Sequence, residues 1–340
     1  MKKVLRIVSL ALAAVMMFAL TACAGANAAW VVDVDGEQIP TGLYLYYQFN
    51  SYQEAAAQVT DTETDVLKQR IEDQDASVWI YSKTIEKCKR QIAVEREFDK
   101  LGLALTEDQQ AYIDNNTDYI LSIYGTVFEN NGIGKETVKN ALTVDIKASA
   151  IFAKYYGAGG LEEVADATLK DYFVKNYAVA YAFGLGTSGQ DEATVAKIKT
   201  SANNALNSLK SGKKVGETAA QFVKEANPDA DVTEADSTDD NYKLTIRKDD
   251  AGMPETMRDA IFAAKADEPF LFDKEDLVYV IVRKDIASDT ATYDNMKSEI
   301  LQAIKGQEFT DKITALGKDL PTTENKDAVS YYSPKKIKNA

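Results

Sequence analysis

The chain has 340 residues, with 53 acidic side chains against 39 basic ones and no histidine. A formal charge of −14 argues against nucleic acid as a partner. The missing imidazole excludes Ser-His-Asp and Cys-His catalysis and any histidine-held metal. It also removes the side chain best suited to proton transfer near neutral pH, so any catalysis must use carboxylates, hydroxyls, lysines or binding energy.

Lys2, Lys3 and Arg6 form a positive start, and Ile7 to Leu20 is an apolar run interrupted only by Ser9. That run is short of the roughly 20 residues that span a bilayer but has the length of a signal-peptide core. It ends in Leu20-Thr21-Ala22-Cys23, which resembles the bacterial lipobox. The resemblance implies cleavage ahead of Cys23, acylation of its thiol and anchoring at the extracellular face of the cytoplasmic membrane. An ordinary signal peptide with a chance cysteine is the plainer alternative. Buried acyl CH₂ groups contribute about 0.8 kcal/mol each, so two or three chains anchor without a membrane-spanning helix. Three positive charges leave with residues 1–22, so 318 residues remain at a charge of −17. Only Cys88 is then a free thiol, on an apparent apolar stripe with Val78, Tyr81, Ile85 and Ile92, where it reads as a core residue.

Trp30 to Pro40 alternates around Asp35-Gly36 and predicts a tight hairpin. The spacing Asp33-x-Asp35-Gly36 is a faint calcium-loop pattern without the downstream acidic ligand. Thr41 is placed to cap a helix carrying Leu43, Tyr44, Tyr47 and Phe49. Residues 60–75 carry no clear pattern. Ala76 to Leu101 predicts a long helix stopped by Gly102. Thr106-Glu107-Asp108-Gln109 is a capping box that opens the next helix. That helix would carry Tyr112, Ile113, Tyr119, Ile120 and Ile123 and end near Gly125. Asn131-Gly132 turns the chain, and Lys135 to Tyr156 is helical with Val138, Leu142, Ile146, Ala150 and Ala153 inward. The first 160 residues are therefore mostly helical.

The pattern then changes. A short helix capped by Asp166 precedes a strand at Val179–Gly186, helices at Asp191–Leu209 and near Glu217–Lys224, and an acidic loop at Asn227–Asn241. Strands at Tyr242–Arg247 and Leu277–Arg283 flank a helix at Pro254–Ala264. This order predicts a small α+β domain around a mainly antiparallel sheet. Asp289 to Gly317 is a last amphipathic helix, with Tyr293, Met296, Ile300, Ile304, Phe309, Ile313 and Leu316 inward. The basic end at 326–340 reads as a disordered tail. Asp229, Asp231, Glu234, Asp236, Asp239 and Asp240 are a calcium candidate, although a solvated loop is the plainer reading. Ten tyrosines between Tyr44 and Tyr156 could line a groove for a client protein, or be half-buried helix residues.

Three stretches together resemble the PrsA-type foldase lipoproteins and SurA-like chaperones. One is Val32-Asp33-Val34-Asp35-Gly36-Glu37-Gln38-Ile39-Pro40 with the aromatic helix after it. Another, Val164 to Phe173, resembles the helix that enters their peptidyl-prolyl isomerase (parvulin) domain. A third, Met253-Pro254-Glu255-Thr256-Met257-Arg258-Asp259-Ala260-Ile261-Phe262, resembles the stretch that lines a parvulin proline pocket, with Leu277–Val282 as the closing strand. The resemblance implies an α+β chain of five parts: signal peptide 1–22, helical chaperone module 23–165, parvulin-like domain 166–288, C-terminal helix 289–325 on the N-terminal module, and basic tail 326–340. It implies unfolded or newly exported proteins as partners, a membrane link through lipid on Cys23, no cofactor and no metal, and it leaves room for a homodimer.

The departures from the family bear on activity. Active parvulins place histidines in the first and last strands, where Phe183 and Tyr279 match here. Their pocket methionine and phenylalanine match Met253 and Met257. Rotation about a prolyl bond has no obligatory proton transfer, so Phe183, Met253, Met257, Phe262 and Tyr279 are pocket candidates, with ordinary core residues as the plainer reading. The expectation is a foldase with a weak or inactive parvulin-like domain; the alternative is an active isomerase with a divergent site. A solute-binding lipoprotein is disfavoured, because such proteins alternate strands and helices in two α/β lobes.

Overall fold

The structure, a computed structural model, describes residues 27–338 apart from Thr62 and Glu234. The expected signal peptide and Cys23 lie outside the described residues. The chain forms two compact units. Residues up to 163 and from 305 onward make the first, and residues 164–304 make the second.

In the first unit, β1 (Trp30–Val34) and β2 (Glu37–Pro40) pair antiparallel as the expected hairpin. Asp35 and Gly36 both have positive φ, 53° and 87°, the mirror-image turn that suits the strand twist. Asp33 Oδ1 accepts the Gly36 amide at 2.8 Å. Val31, Val32, Val34 and Ile39 are fully buried against α1 (Thr41–Gln58). Thr41 is not the cap. Pro40 holds that position, and the Thr41 hydroxyl donates instead to the Ala28 carbonyl.

The unpatterned stretch holds a two-residue hairpin, β3 (Arg70–Ile71) and β4 (Gln74–Asp75), ahead of α2 (Ala76–Lys100). The buried row of α2 is Ala76, Ile80, Thr84, Cys88 and Ile92, with Trp79 beside it, whereas Val78 is 51% exposed. Val78 and Ile80 lie about 200° apart on a helix and cannot share a face; the larger Trp79–Ile80 pair decides which side is inside. Burial pushes the Cys88 thiol pKa up, as befits a core thiol.

Thr106 and Gln109 form the expected reciprocal capping box at the start of α3 (Glu107–Asn130). The helix runs through Gly125 rather than ending there. An interior glycine costs roughly 1 kcal/mol, and Phe128, packed edge-on to Phe49 at 5.7 Å, anchors the final turn. Gly132 (φ 74°) turns the chain into α4 (Lys135–Tyr156), which buries Val138, Ala141, Val144, Ala148, Ile151 and Tyr156. Ala153, expected inward, is exposed.

The second unit opens with α5 (Asp166–Asn176). Its cap is Ala165; the Asp166 carboxylate is taken by the Tyr293 hydroxyl at 2.7 Å. β5 (Tyr177–Gly186) follows, then α6 (Glu192–Lys210), α7 (Val215–Ala226), β6 (Lys243–Arg247), α8 (Glu255–Ala263), β7 (Pro269–Lys274) and β8 (Leu277–Arg283). The sheet order is β6-β5-β8-β7, antiparallel throughout. β7 is absent from the sequence reading, since its apolar core is only Phe270-Leu271-Phe272 and charged residues follow it. It returns to β8 through Glu275 and Asp276, both at positive φ without a glycine to mark the turn.

Alternation along the strands sorts the core into layers. Phe183, Val278, Val280 and Val282 pack beneath α6 and α7. Tyr177 and Val179 pack on α5 and the start of α9 (Thr290–Lys318). Ala178, Ala180, Ala182, Ile246, Phe272 and Ile281 pack with α8.

From residue 305 the chain belongs again to the first unit. Phe309 meets Phe152 edge-on at 5.4 Å and Tyr156 at 6.5 Å. Leu316, expected inward, is 42% exposed. β9 (Thr322–Glu324) pairs antiparallel with the free edge of β1, and α10 (Lys326–Tyr331) follows with Ala328 fully buried. The described part of 326–340 is thus ordered rather than a loose tail. Its lysines mask Ala328, Pro334 and Ile337, the residues that pack.

Candidate functional site

Four of the five pocket candidates come together. Met257 is buried, and Met253, Phe262 and Tyr279 are half-buried around it, between α8 and the sheet. Phe183 does not join them. It lies on the other face, 5.6 Å from the Phe222 ring and 5.9 Å from that of Tyr242. The register explains the split. Tyr279 pairs with Gly184, and Phe183 pairs with Val280, so neighbouring positions face opposite sides. A Cβ built on Gly184 would lie 2.5 Å from Tyr279 Cγ, so the tyrosine ring occupies the space beside a bare strand. This glycine belongs to the site and was missed; the signal available was a glycine inside an apolar strand.

The cluster brings together apolar side chains and the Tyr279 ring with its hydroxyl. Arg283 fastens its edge, donating from Nη1 to the Phe262 carbonyl at 3.1 Å and the Ala264 carbonyl at 2.8 Å. Arg258 donates to the Asp250 carbonyl at 2.6 Å. Chemically, the cluster can offer an apolar contact and one hydroxyl. An open cleft of about 640 Å³ in this unit lies elsewhere, lined by Tyr177, Arg247, Asp249 and Glu299 among others. It is polar: Tyr177 donates to Glu299 at 3.0 Å, and Arg247 is fastened to Asp249.

The acidic loop is bound into the fold. Asp236 accepts from the Thr233 amide and hydroxyl, both at 2.7 Å, and Asp239 accepts the Gly216 amide at 2.7 Å. Glu234 lies outside the described residues. Among the described residues, no group of three acidic or cysteine side chains is placed to hold a metal ion.

The aromatic helices separate into two populations. Tyr44, Tyr47, Tyr52 and Tyr156 are core. On α3, by contrast, Tyr112 (54% exposed), Tyr119 (63%) and Ile123 (53%) form one row facing water, with Tyr124 beside it. Only Ile113, Thr117 and Phe128 of this helix are buried. The α3 sequence has five acidic residues and no basic one. Asp114 and Asp118 pair with Lys139 and Lys135 of α4, at 2.6 and 2.5 Å. The row thus carries two tyrosines and an isoleucine, with Asn116 between Tyr112 and Tyr119, and it lies away from the Asp114 and Asp118 side that turns to α4.

Comparison with known proteins adds the following. The chain is similar to solved structures of PrsA foldases. These come from Streptococcus pneumoniae (14% identity, TM-score 0.38, covering 79% of this chain and 98% of that one), Lactococcus lactis (15%, 0.37, 92% and 100%) and Bacillus subtilis (17%, 0.31, 78% and 91%). No protein-family model and no curated protein matches. At these identities function has to be argued from the chain's own residues. Among the described residues, no helix is long and apolar enough to cross a membrane.

Proposed function

We propose that this chain is a lipid-anchored extracytoplasmic chaperone that helps exported proteins fold, with a parvulin-like domain of weak or no isomerase activity. The observation that carries the reading is the exposed Tyr112-Tyr119-Ile123 row of α3. Large apolar side chains exposed along one face of a helix are a mark of interaction sites. Tyrosine gives contact area at low entropic cost while keeping a polar tip in water. The apolar run at Ile7–Leu20 and the lipobox-like Leu20-Thr21-Ala22-Cys23 support an extracytoplasmic location, where exported chains emerge unfolded.

The test is light scattering from a denatured secreted protein diluted into buffer with and without the chain. Protection is expected from the wild type. It should be largely lost in the Tyr112→Ser/Tyr119→Ser/Ile123→Ser variant, whose melting should shift by no more than a few degrees because exposed substitutions shift stability by about 0.5 kcal/mol or less each. Equal protection by the variant removes α3 from the reading. Cys23→Ala tests the anchor: the protein should leave the membrane fraction or accumulate as precursor.

A second reading, an active peptidyl-prolyl isomerase, is favoured by the Met253-Met257-Phe262-Tyr279 cluster with its tyrosine hydroxyl. It requires turnover of a Xaa-Pro peptide that falls on Tyr279→Phe.

A further inference from the structure

Residues 332–338 lie in a groove of the first unit whose contacts read polypeptide backbone. Gln48, 1% exposed in α1, donates from Nε2 to the Tyr332 carbonyl at 2.7 Å. Asn131, just past α3, holds Lys338 by both its backbone amide and its backbone carbonyl. Its Oδ1 accepts the Lys338 amide at 2.9 Å, and its Nδ2 donates to the Lys338 carbonyl at 2.7 Å. The same Nδ2 donates to the Val127 carbonyl at 2.8 Å, so the last turn of α3 fixes the carboxamide in place. This two-bond exchange is what a neighbouring strand offers one residue in a ladder, and it takes no account of side chains.

Selectivity comes from Ile337. It packs against two apolar clusters at once, one containing Tyr52, Ile71 and Trp79 and the other Phe49, Phe128 and Ile133. Lys335, Lys336 and Lys338 stay exposed, with Lys336 Nζ 3.3 Å above the Tyr331 ring. Gln48 Nε2 also lies 3.4 Å from the Tyr44 hydroxyl, which holds the amide facing the groove.

We infer that this groove is a peptide-binding site, filled in cis by residues 332–338. In trans it takes an extended segment of an unfolded polypeptide carrying a branched apolar residue beside lysines. The trans occupant rests on the chaperone reading above. The charge of −17 without residues 1–22 favours the lysines. A tethered segment competes at an effective concentration on the order of millimolar, so the cis segment keeps the site mostly closed to weak ligands.

The test titrates a fluorescent peptide with the sequence of residues 330–338 against three full-length chains: wild type, Ile337→Asp and Lys338→Pro. Ile337 sits at φ −63°, ψ 133°, a conformation that precedes proline without strain. Lys338→Pro therefore keeps the backbone path while it removes the donor and sets the proline ring against Asn131 Oδ1. Binding should tighten at least tenfold for Ile337→Asp and roughly threefold for Lys338→Pro, and vanish when the peptide itself carries Ile337→Asp. Melting curves check that each chain is folded; if Ile337→Asp is not, Lys338→Pro decides. Equal binding to folded wild type and Lys338→Pro overturns the proposal. Peptide binding without protection from aggregation would instead count against the chaperone reading and leave the groove standing.

Discussion

Gly184 and Tyr279 face each other across the β5–β8 ladder, and the Tyr279 ring lies where a side chain on residue 184 would start. Gly184→Ala would bring its Cβ to 2.5 Å from Tyr279 Cγ and closer still to the Val278 carbonyl. Overpacking of this kind costs about 1–3 kcal/mol. The urea midpoint of the transition that reports the second unit should fall accordingly. Adding Tyr279→Ala should not restore it, because the backbone clash with Val278 remains. Full rescue by Tyr279→Ala would show that the ring alone sets the constraint.

Asp166 gives the second unit a pH dependence of known sign. The Tyr293 hydroxyl, then Lys170 at 2.9 Å and Lys297 at 3.2 Å, hold its carboxyl pKa well below the usual range. A carboxylate whose pKa is lowered on folding stabilises fully above its unfolded value, near pH 4, and loses that contribution as pH falls through the folded value. The difference in urea midpoint between wild type and Asp166→Asn should be constant above about pH 5 and shrink steadily toward pH 2. Tyr293 gives the opposite limb. Burial, then Asp166, push its pKa up to about 12, so its contribution is intact below about pH 10 and lost as pH rises through 12. A midpoint difference that does not change with pH would mean that Asp166 contributes no charge-dependent stability.

Phe309 ties the returning chain to the first unit through its contacts with Phe152 and Tyr156. Phe309→Ala should destabilise that unit by about 3–5 kcal/mol. A double-mutant cycle with Phe152→Ala should show a coupling of about 0.5–1.5 kcal/mol. An additive cycle would mean that the rings pack without a specific interaction.

Local chemistry was legible in the sequence and long-range pairing was not. Asp35-Gly36, the Thr106–Gln109 box and the bounds of β8 follow from a few adjacent residues, and the structure carries each as read. The face of α2 depended on which of two overlapping stripes buried the bulkier pair, Trp79 and Ile80. β7 hid because pairing with β8, rather than its own pattern, makes it a strand. The order at 326–338 is made by contacts such as Asn131 to Lys338, 207 residues apart in sequence. The pocket candidates show the same limit. Residue type could nominate Phe183 and Tyr279 together, but only the register reveals that they face opposite sides of the sheet and that Gly184 is the partner of Tyr279.

The measurement that bears most directly on the account is the refolding of a denatured secreted protein whose slow phase is a prolyl isomerisation. Scattering and the slow folding rate would be followed together in the presence of the full chain. The account predicts that scattering is suppressed as the chain approaches equimolar amounts, while the slow rate changes little. Undiminished scattering, or a slow phase accelerated catalytically by substoichiometric chain, would contradict it.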